Sequence, residues 1–204
     1  MTTITTQDRE RISAAIRAVE QKTSGEIVCV LARTSSDAIA LPILLAALVA
    51  LLLPWLLVAF TTLPVLRLLA LQVITFVALA GILCLPRIRV ALMPRAARRA
   101  VAHRVAMEQF ISRGIARTED RCGIMIFVSL AERYARVVVD DGIAAKVPQN
   151  HWQAAVDALI AHMKEGRIAD GFVAAIDLCG RELAEHFPRA ATSRDELPNR
   201  IYVI

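Results

Sequence analysis

Asp140, Asp141 and Gly142 close an apolar run, "ARVVVDDGI", and Glu132 precedes that run in "LAERY". Adjacent carboxylates at the end of a strand can hold a hard divalent cation such as calcium or manganese. They can also activate water toward a phosphate ester. Glu132 is the third carboxylate such a site would draw on. The plainer reading is a solvated turn, which favours Asp and Gly for its own backbone reasons. Glu132 and Arg133 read equally as a surface ion pair or as turn polarity.

Other chemistry finds no purchase. His103, His151, His162 and His186 have no HExxH or other ligand spacing. Ser129 has no GxSxG elbow around it. The sequence contains neither a P-loop nor GxGxxG. Cys29, Cys84, Cys122 and Cys179 are widely spaced, with no CxxC pair, and read as small buried hydrophobes of a reducing compartment. Asp177 falls on or beside the apolar stripe of the last helix, where a partly buried carboxylate wants a partner. Asp170 reads as a helix cap and Asp157 as part of an exposed face.

The elements that would position these residues are broken by something else. Hydrophobic residues make up 56% of the chain, against roughly 45–50% in ordinary soluble domains. The surplus sits in two uncharged blocks, Ala38 to Leu66 and Leu68 to Pro86. A membrane-spanning helix needs about 20 mostly apolar residues, so two spans are expected, at about 39–60 and 66–86. Pro64, after Thr61 and Thr62, marks the turn between them. The N-terminal stretch has charges but no apolar core, so no signal peptide is expected.

Arginine sets the expected orientation. Arg87, Arg89, Arg95, Arg98 and Arg99 follow the second block, whereas the turn offers only Arg67. Two spans place both termini on one side, and the arginine bias makes that side cytoplasmic. The same arginines suit contact with anionic headgroups. They account for much of the net charge of +5. Nucleic acid is not the expected partner, because no base-stacking aromatics are interleaved. The partners expected are the bilayer and other membrane proteins.

Around the blocks, periodicity predicts a helix over 5–24, with Thr5 and Asp8 at capping-box spacing. "EIVCVLA" predicts a strand covered on both faces. Pro94 opens a helix to about Ser112. "GIMIFVSL" and "ARVVVDDGI" predict an antiparallel pair of strands. Two helices follow, the first capped by Asn150, and "IYVI" is an edge strand. The fold class is α/β: a small sheet flanked by helices, interrupted by a two-helix transmembrane hairpin. The divisions are 1–36 and 89–188 for the domain, 37–88 for the hairpin and 189–204 for a tail.

"TSGEIVCVLA", "GIMIFVSLAERYARVVVDDGI", "GRIADGFVAAIDLCGRELAEHFP" and "DELPNRIYVI" together resemble the TPM domain family, in particular its bacterial membrane subgroup with a transmembrane insertion. The resemblance covers nearly the whole chain outside the apolar blocks. It implies a small α/β/α domain. Relatives with that domain include a thylakoid acid phosphatase, a photosystem II repair factor and a modulator of acetylcholine receptors, and some bind divalent metal. Many of them carry a GYG-like turn where this chain reads "DDGI". The resemblance and the missing catalytic constellation together imply a non-enzymatic accessory or assembly factor of the inner membrane. The alternative is a weak metal-dependent acid phosphatase.

Overall fold

The computed structural model describes residues 4–35, 39–118, 121–189 and 196–204. The chain forms two compact units. One comprises Met1–Ser35 and Val101–Ile204, and the other comprises Ser36–Ala100.

The first unit is built on a four-stranded sheet. β1 (Glu26–Ala32), β2 (Gly123–Ser129), β3 (Tyr134–Val139) and β4 (Ile201–Val203) lie in the order β3-β2-β1-β4. β1 pairs parallel with both β2 and β4, and β2 pairs antiparallel with β3. Every residue of β1 and β2 is buried. This is why their sequences read as continuous Val/Ile runs without alternation.

Successive side chains still leave on opposite faces. Ile27, Cys29, Leu31, Ile124, Ile126, Val128 and Val137 join one core, with α1 (Thr6–Glu20), α7 (Gln153–Lys164) and α8 (Ile168–His186). Val28, Val30, Met125, Phe127 and Val138 join another, with Ala106 and Phe110 of α5 (Arg95–Ser112). The unit is therefore a helix–sheet–helix sandwich.

Local chemistry explains the ends of these elements. The Asp8 N–H donates to Thr5 Oγ1 at 3.1 Å and the Thr5 N–H donates to Asp8 Oδ2 at 3.0 Å. The expected capping box starts α1. The Gln21 cap follows Glu20, so the helix stops short of the expected residue 24. α1 packs on α8 so closely that a Cβ on Gly180 would lie 2.5 Å from Val19 Cγ1.

Four expectations are corrected. β3 stops at Val139, because Asp140 instead caps a short helix, α6 (Asp141–Ala144). Asn150 is not a cap: it lies within a 3₁₀ turn, Gln149–Trp152, and α7 starts from Trp152. α8 starts at Ile168, so Asp170 sits in its first turn rather than at its cap. Asp177 is exposed, because the buried face of α8 runs through Ala175, Ile176, Cys179 and Gly180 on either side of it.

The second unit holds α2 (Ala40–Phe60) and α3 (Val65–Leu83), joined through Thr61–Pro64 as expected. A short helix not foreseen in the sequence, α4 (Pro86–Leu92), follows. α2 and α3 pack against each other and bury Ala46, Ala50 and Leu68. Both are long and apolar enough to cross a membrane, and only 11% and 6% of their span-length windows are buried. Residues 36–38, where the expected hairpin boundary falls, lie outside the described residues.

Candidate functional site

The expected carboxylates stand at the two ends of β3. Glu132 lies in the tight turn before it and Asp140 directly after it. Six strand residues at about 3.3 Å each put roughly 20 Å between these ends.

Glu132 is buried, at 5% exposure, and so is Ser129, the last residue of β2. Its carboxylate accepts from the Ser129 hydroxyl, from Thr34 Oγ1 at 3.2 Å and from the Ser35 N–H at 3.0 Å. The Ser35 hydroxyl donates to Ser129 Oγ at 2.8 Å. Glu132 is thus neither a surface ion pair nor simple turn polarity. It is the hub of a hydrogen-bond network joining the exits of β1 and β2.

The backbone supports this hub. The Leu130 and Ala131 N–H groups donate to the Ala32 and Arg33 carbonyls at 3.0 and 3.1 Å. Arg133 takes a positive φ of 52° to close the turn. That conformation is uncommon for a residue with a side chain. Ser129 and Arg133 also line a cavity of about 470 Å³, with Tyr134, Ile160, Met163 and Lys164 among its walls.

At the other end, Asp140 and Asp141 diverge. Asp140 is 5% exposed. Its N–H donates to the Gly123 carbonyl at 2.9 Å, and its Oδ1 accepts the Asp141 N–H at 2.7 Å. Asp140 Oδ2 is buried without a hydrogen-bond partner. The Asp141 side chain is 90% exposed, 3.9 Å from Arg121 Nη1. Gly142 has its own reason to be there. A Cβ at that position would sit 2.6 Å from the Arg121 carbonyl oxygen, so the turn admits no side chain at this point.

The three carboxylates therefore do not meet: Glu132 is held at one end of β3, Asp140 turns inward at the other, and Asp141 faces water. Among the described residues, no group of three or more His, Cys, Asp or Glu side chains is arranged to hold a metal ion. As a metal set these residues do not fit together. Of the buried carboxylate oxygens here, Asp140 Oδ2 is without a hydrogen-bond partner and has spare ligating capacity.

His151, His162 and His186 each have a partner. His151 Nδ1 lies 3.2 Å from Glu182 Oε2, and His162 and His186 each donate to the carbonyl four residues back. Cys29, Cys122 and Cys179 are buried, and all four cysteines are free. Burial pushes the Cys29 and Cys179 thiols well up, so neither is a nucleophile. Arg87 and Arg89 belong to α4. Arg95, Arg98 and Arg99 belong to the first turns of α5, with Arg95 and Arg99 exposed.

Three polar groups join Glu132 that no pattern in the sequence links to it. Ser129, Thr34 and Ser35 meet Glu132 across as many as 98 residues, a distance no local pattern encodes. Glu26 accepts the Glu196 and Leu197 N–H groups, tying the C-terminal segment to β1. Gln72 was missed, although composition singles it out as the lone carboxamide of the second apolar block.

The sequence model of the TPM domain matches residues 86–182. This stretch, just under half of the chain, is similar to the TPM domain.

A search of curated proteins gives no match. Among solved structures, the chain is similar to the NMR structure of the BA42 protein from the psychrophilic bacterium Bizionia argentinensis. The two are 21% identical, with a TM-score of 0.63 over 98% of this chain and 95% of that one. The shared fold bears out the expected sheet flanked by helices. β1, a central strand of the sheet, precedes the matched stretch, and α2 and α3 lie between β1 and β2.

Proposed function

We propose that this chain is an integral protein of the bacterial inner membrane. In this reading α2 and α3 cross the bilayer as a hairpin, the TPM domain and both termini lie in the cytoplasm, and the domain serves as an accessory or assembly factor for other membrane proteins. The observation that carries the proposal is the exposure of apolar side chains around both helices. Trp55, Phe60 and Leu66 are 77%, 80% and 79% exposed, and Leu44, Leu51 and Val58 at least 60%. Each would forfeit about 1.5–3 kcal/mol in water that a hydrocarbon surrounding restores. Arg87, Arg89, Arg95, Arg98 and Arg99 then meet anionic headgroups on the cytoplasmic side.

The separation of Glu132 from Asp140 supports an accessory role over catalysis. Hydrolysis by paired carboxylates needs them within one cleft, and β3 holds these two apart. The test is extraction of membranes containing the full chain with alkaline carbonate, followed by site-specific photocrosslinking from the TPM domain. Retention in the membrane and crosslinks to integral membrane proteins are expected. Release into the carbonate supernatant overturns the reading.

One observation favours a second reading, a divalent-metal-dependent acid phosphatase. Asp140 Oδ2 is buried without a partner, and a calcium or manganese ion would complete it. Under this reading Asp140→Asn with Asp141→Asn abolishes phosphatase activity. Activity unchanged by the pair of substitutions would remove these residues from the chemistry.

A further inference from the structure

Gln72 is the eighth residue of α3, about 10 Å along the helix at 1.5 Å per residue. In a hydrocarbon layer about 30 Å thick, its carboxamide lies well away from either surface. Gln72 is half-buried. It lines a groove of about 720 Å³ between α2 and α3, with Ala47, Ala50 and Leu51 of α2 and Val73 and Phe76 of α3. Its carboxamide hydrogen-bonds to no described residue. Apart from the Trp55 indole, α2 has no side chain that could serve it.

A carboxamide offers two N–H donors and an acceptor oxygen, and hydrocarbon offers nothing in exchange. A spanning helix must find partners for such a group within protein. We infer that the α2–α3 hairpin pairs with that of a second copy, the two Gln72 carboxamides hydrogen-bonding to each other across a two-fold axis. This rests on the bilayer location proposed above.

The choice of a second copy follows from the chemistry of the groove. A carboxamide is its own complement, donor to acceptor in both directions. A two-fold interface places a residue near the axis opposite itself. The remaining walls are uncharged, so they select neither a cationic nor an anionic partner. Ala47 and Ala50 leave room for a helix backbone to approach closely. Two hairpins meeting on this face make a four-helix bundle with one polar layer.

The test uses the full chain in vesicles of phosphatidylethanolamine and phosphatidylglycerol. Energy transfer between donor- and acceptor-labelled copies is followed as lipid dilutes the protein. Gln72→Leu suits hydrocarbon better than the parent residue, so loss of insertion cannot mimic loss of pairing. It is expected to weaken self-association roughly three- to tenfold. Gln72→Asn retains a carboxamide and most of the association, and Ile74→Leu, outside the groove, leaves it unchanged.

In a Cys84→Ser background, Gln72→Cys is expected to form a disulfide-linked dimer on oxidation. A parent chain that stays monomeric at every dilution overturns the inference. So does Gln72→Leu associating as tightly as the parent, or a Gln72→Cys crosslink found only to a different membrane protein. Carbonate extraction separates the two readings: release of the chain defeats the bilayer location itself, whereas retention of a monomer defeats only the pairing.

Discussion

The carboxylate of Glu132 accepts the backbone N–H of Ser35 at 3.0 Å, so a residue of the β2–β3 turn holds the chain where it leaves β1 for the apolar helices. Ser35 is the last residue of the first unit before the second begins. The same carboxylate also takes hydrogen bonds from Thr34 and Ser129. Glu132→Ala would leave the buried Ser129 donor and the half-buried Ser35 donor without their acceptor. The expected loss is about 2 kcal/mol of domain stability, because hydrogen bonds to a buried charged group contribute about 1.5–3 kcal/mol. Glu132→Gln should lose less, since its remaining carbonyl oxygen still accepts. Urea unfolding of the full chain in detergent checks both. With Trp55→Phe in the background, fluorescence reports only the buried Trp152.

α1 is tied to α8 at its start by Arg11 Nη2, which donates to Asp170 Oδ1 at 2.7 Å. That hydrogen bond, with the charges of Arg11 and Arg167, holds the Asp170 carboxyl below its ordinary range. A carboxyl lowered in the folded state adds stability that is present above about pH 4. That stability is lost as the pH falls through the lowered value. Asp170→Asn should therefore lower stability near neutrality and flatten the acid limb of a stability–pH curve, the variant and parent converging at low pH. The pair is partly exposed, so added salt should shrink the difference between variant and parent.

Two glycines are expected to resist substitution for different reasons. At Gly180 a Cβ would meet Val19, a β-branched side chain with little rotamer freedom in a helix, so α1 and α8 must part. At Gly142 it would meet the Arg121 carbonyl oxygen, which can move only with its backbone. Gly180→Ala and Gly142→Ala should each cost about 1–3 kcal/mol, read from the same urea titration. Gly81 has open space around its Cβ position, so Gly81→Ala should be tolerated.

The arginine distribution gives a topology test. A reporter fused after Ile204 should be active only in its cytoplasmic form, and one inserted between Thr62 and Leu63 only in its periplasmic form. Moving charge should move the protein. Replacing Arg95, Arg98 and Arg99 with Gln weakens the bias that retains this side and should produce a population with inverted fusions. A C-terminal reporter active only in the periplasm would reverse the orientation.

Much of the fold was legible because it rests on local rules. The capping box at Thr5 and Asp8, the largely apolar β1 and β2, the antiparallel β2–β3 link and the two apolar helices each follow from composition and spacing within some twenty residues. Errors came where neighbouring rules compete. Asp140 reads as the end of a strand or as a helix cap, and the cap won because its Oδ1 takes the Asp141 N–H. Asp177 lies beside an apolar stripe, and the buried face of α8 passes on either side of it and leaves it in water.

The sequence by itself determined that this chain has two apolar helices inserted into an α/β domain, since continuous apolarity needs no tertiary information to be recognised. It also determined which carboxylates were available. Only the tertiary structure decided where they point. Glu132 became a buried hub because β1 and β2 run parallel, side by side, bringing Thr34 and Ser35 to a turn nearly a hundred residues away. Asp140 and Asp141, adjacent in sequence, parted because a helix starts between them. A strand's length then separated Glu132 from both.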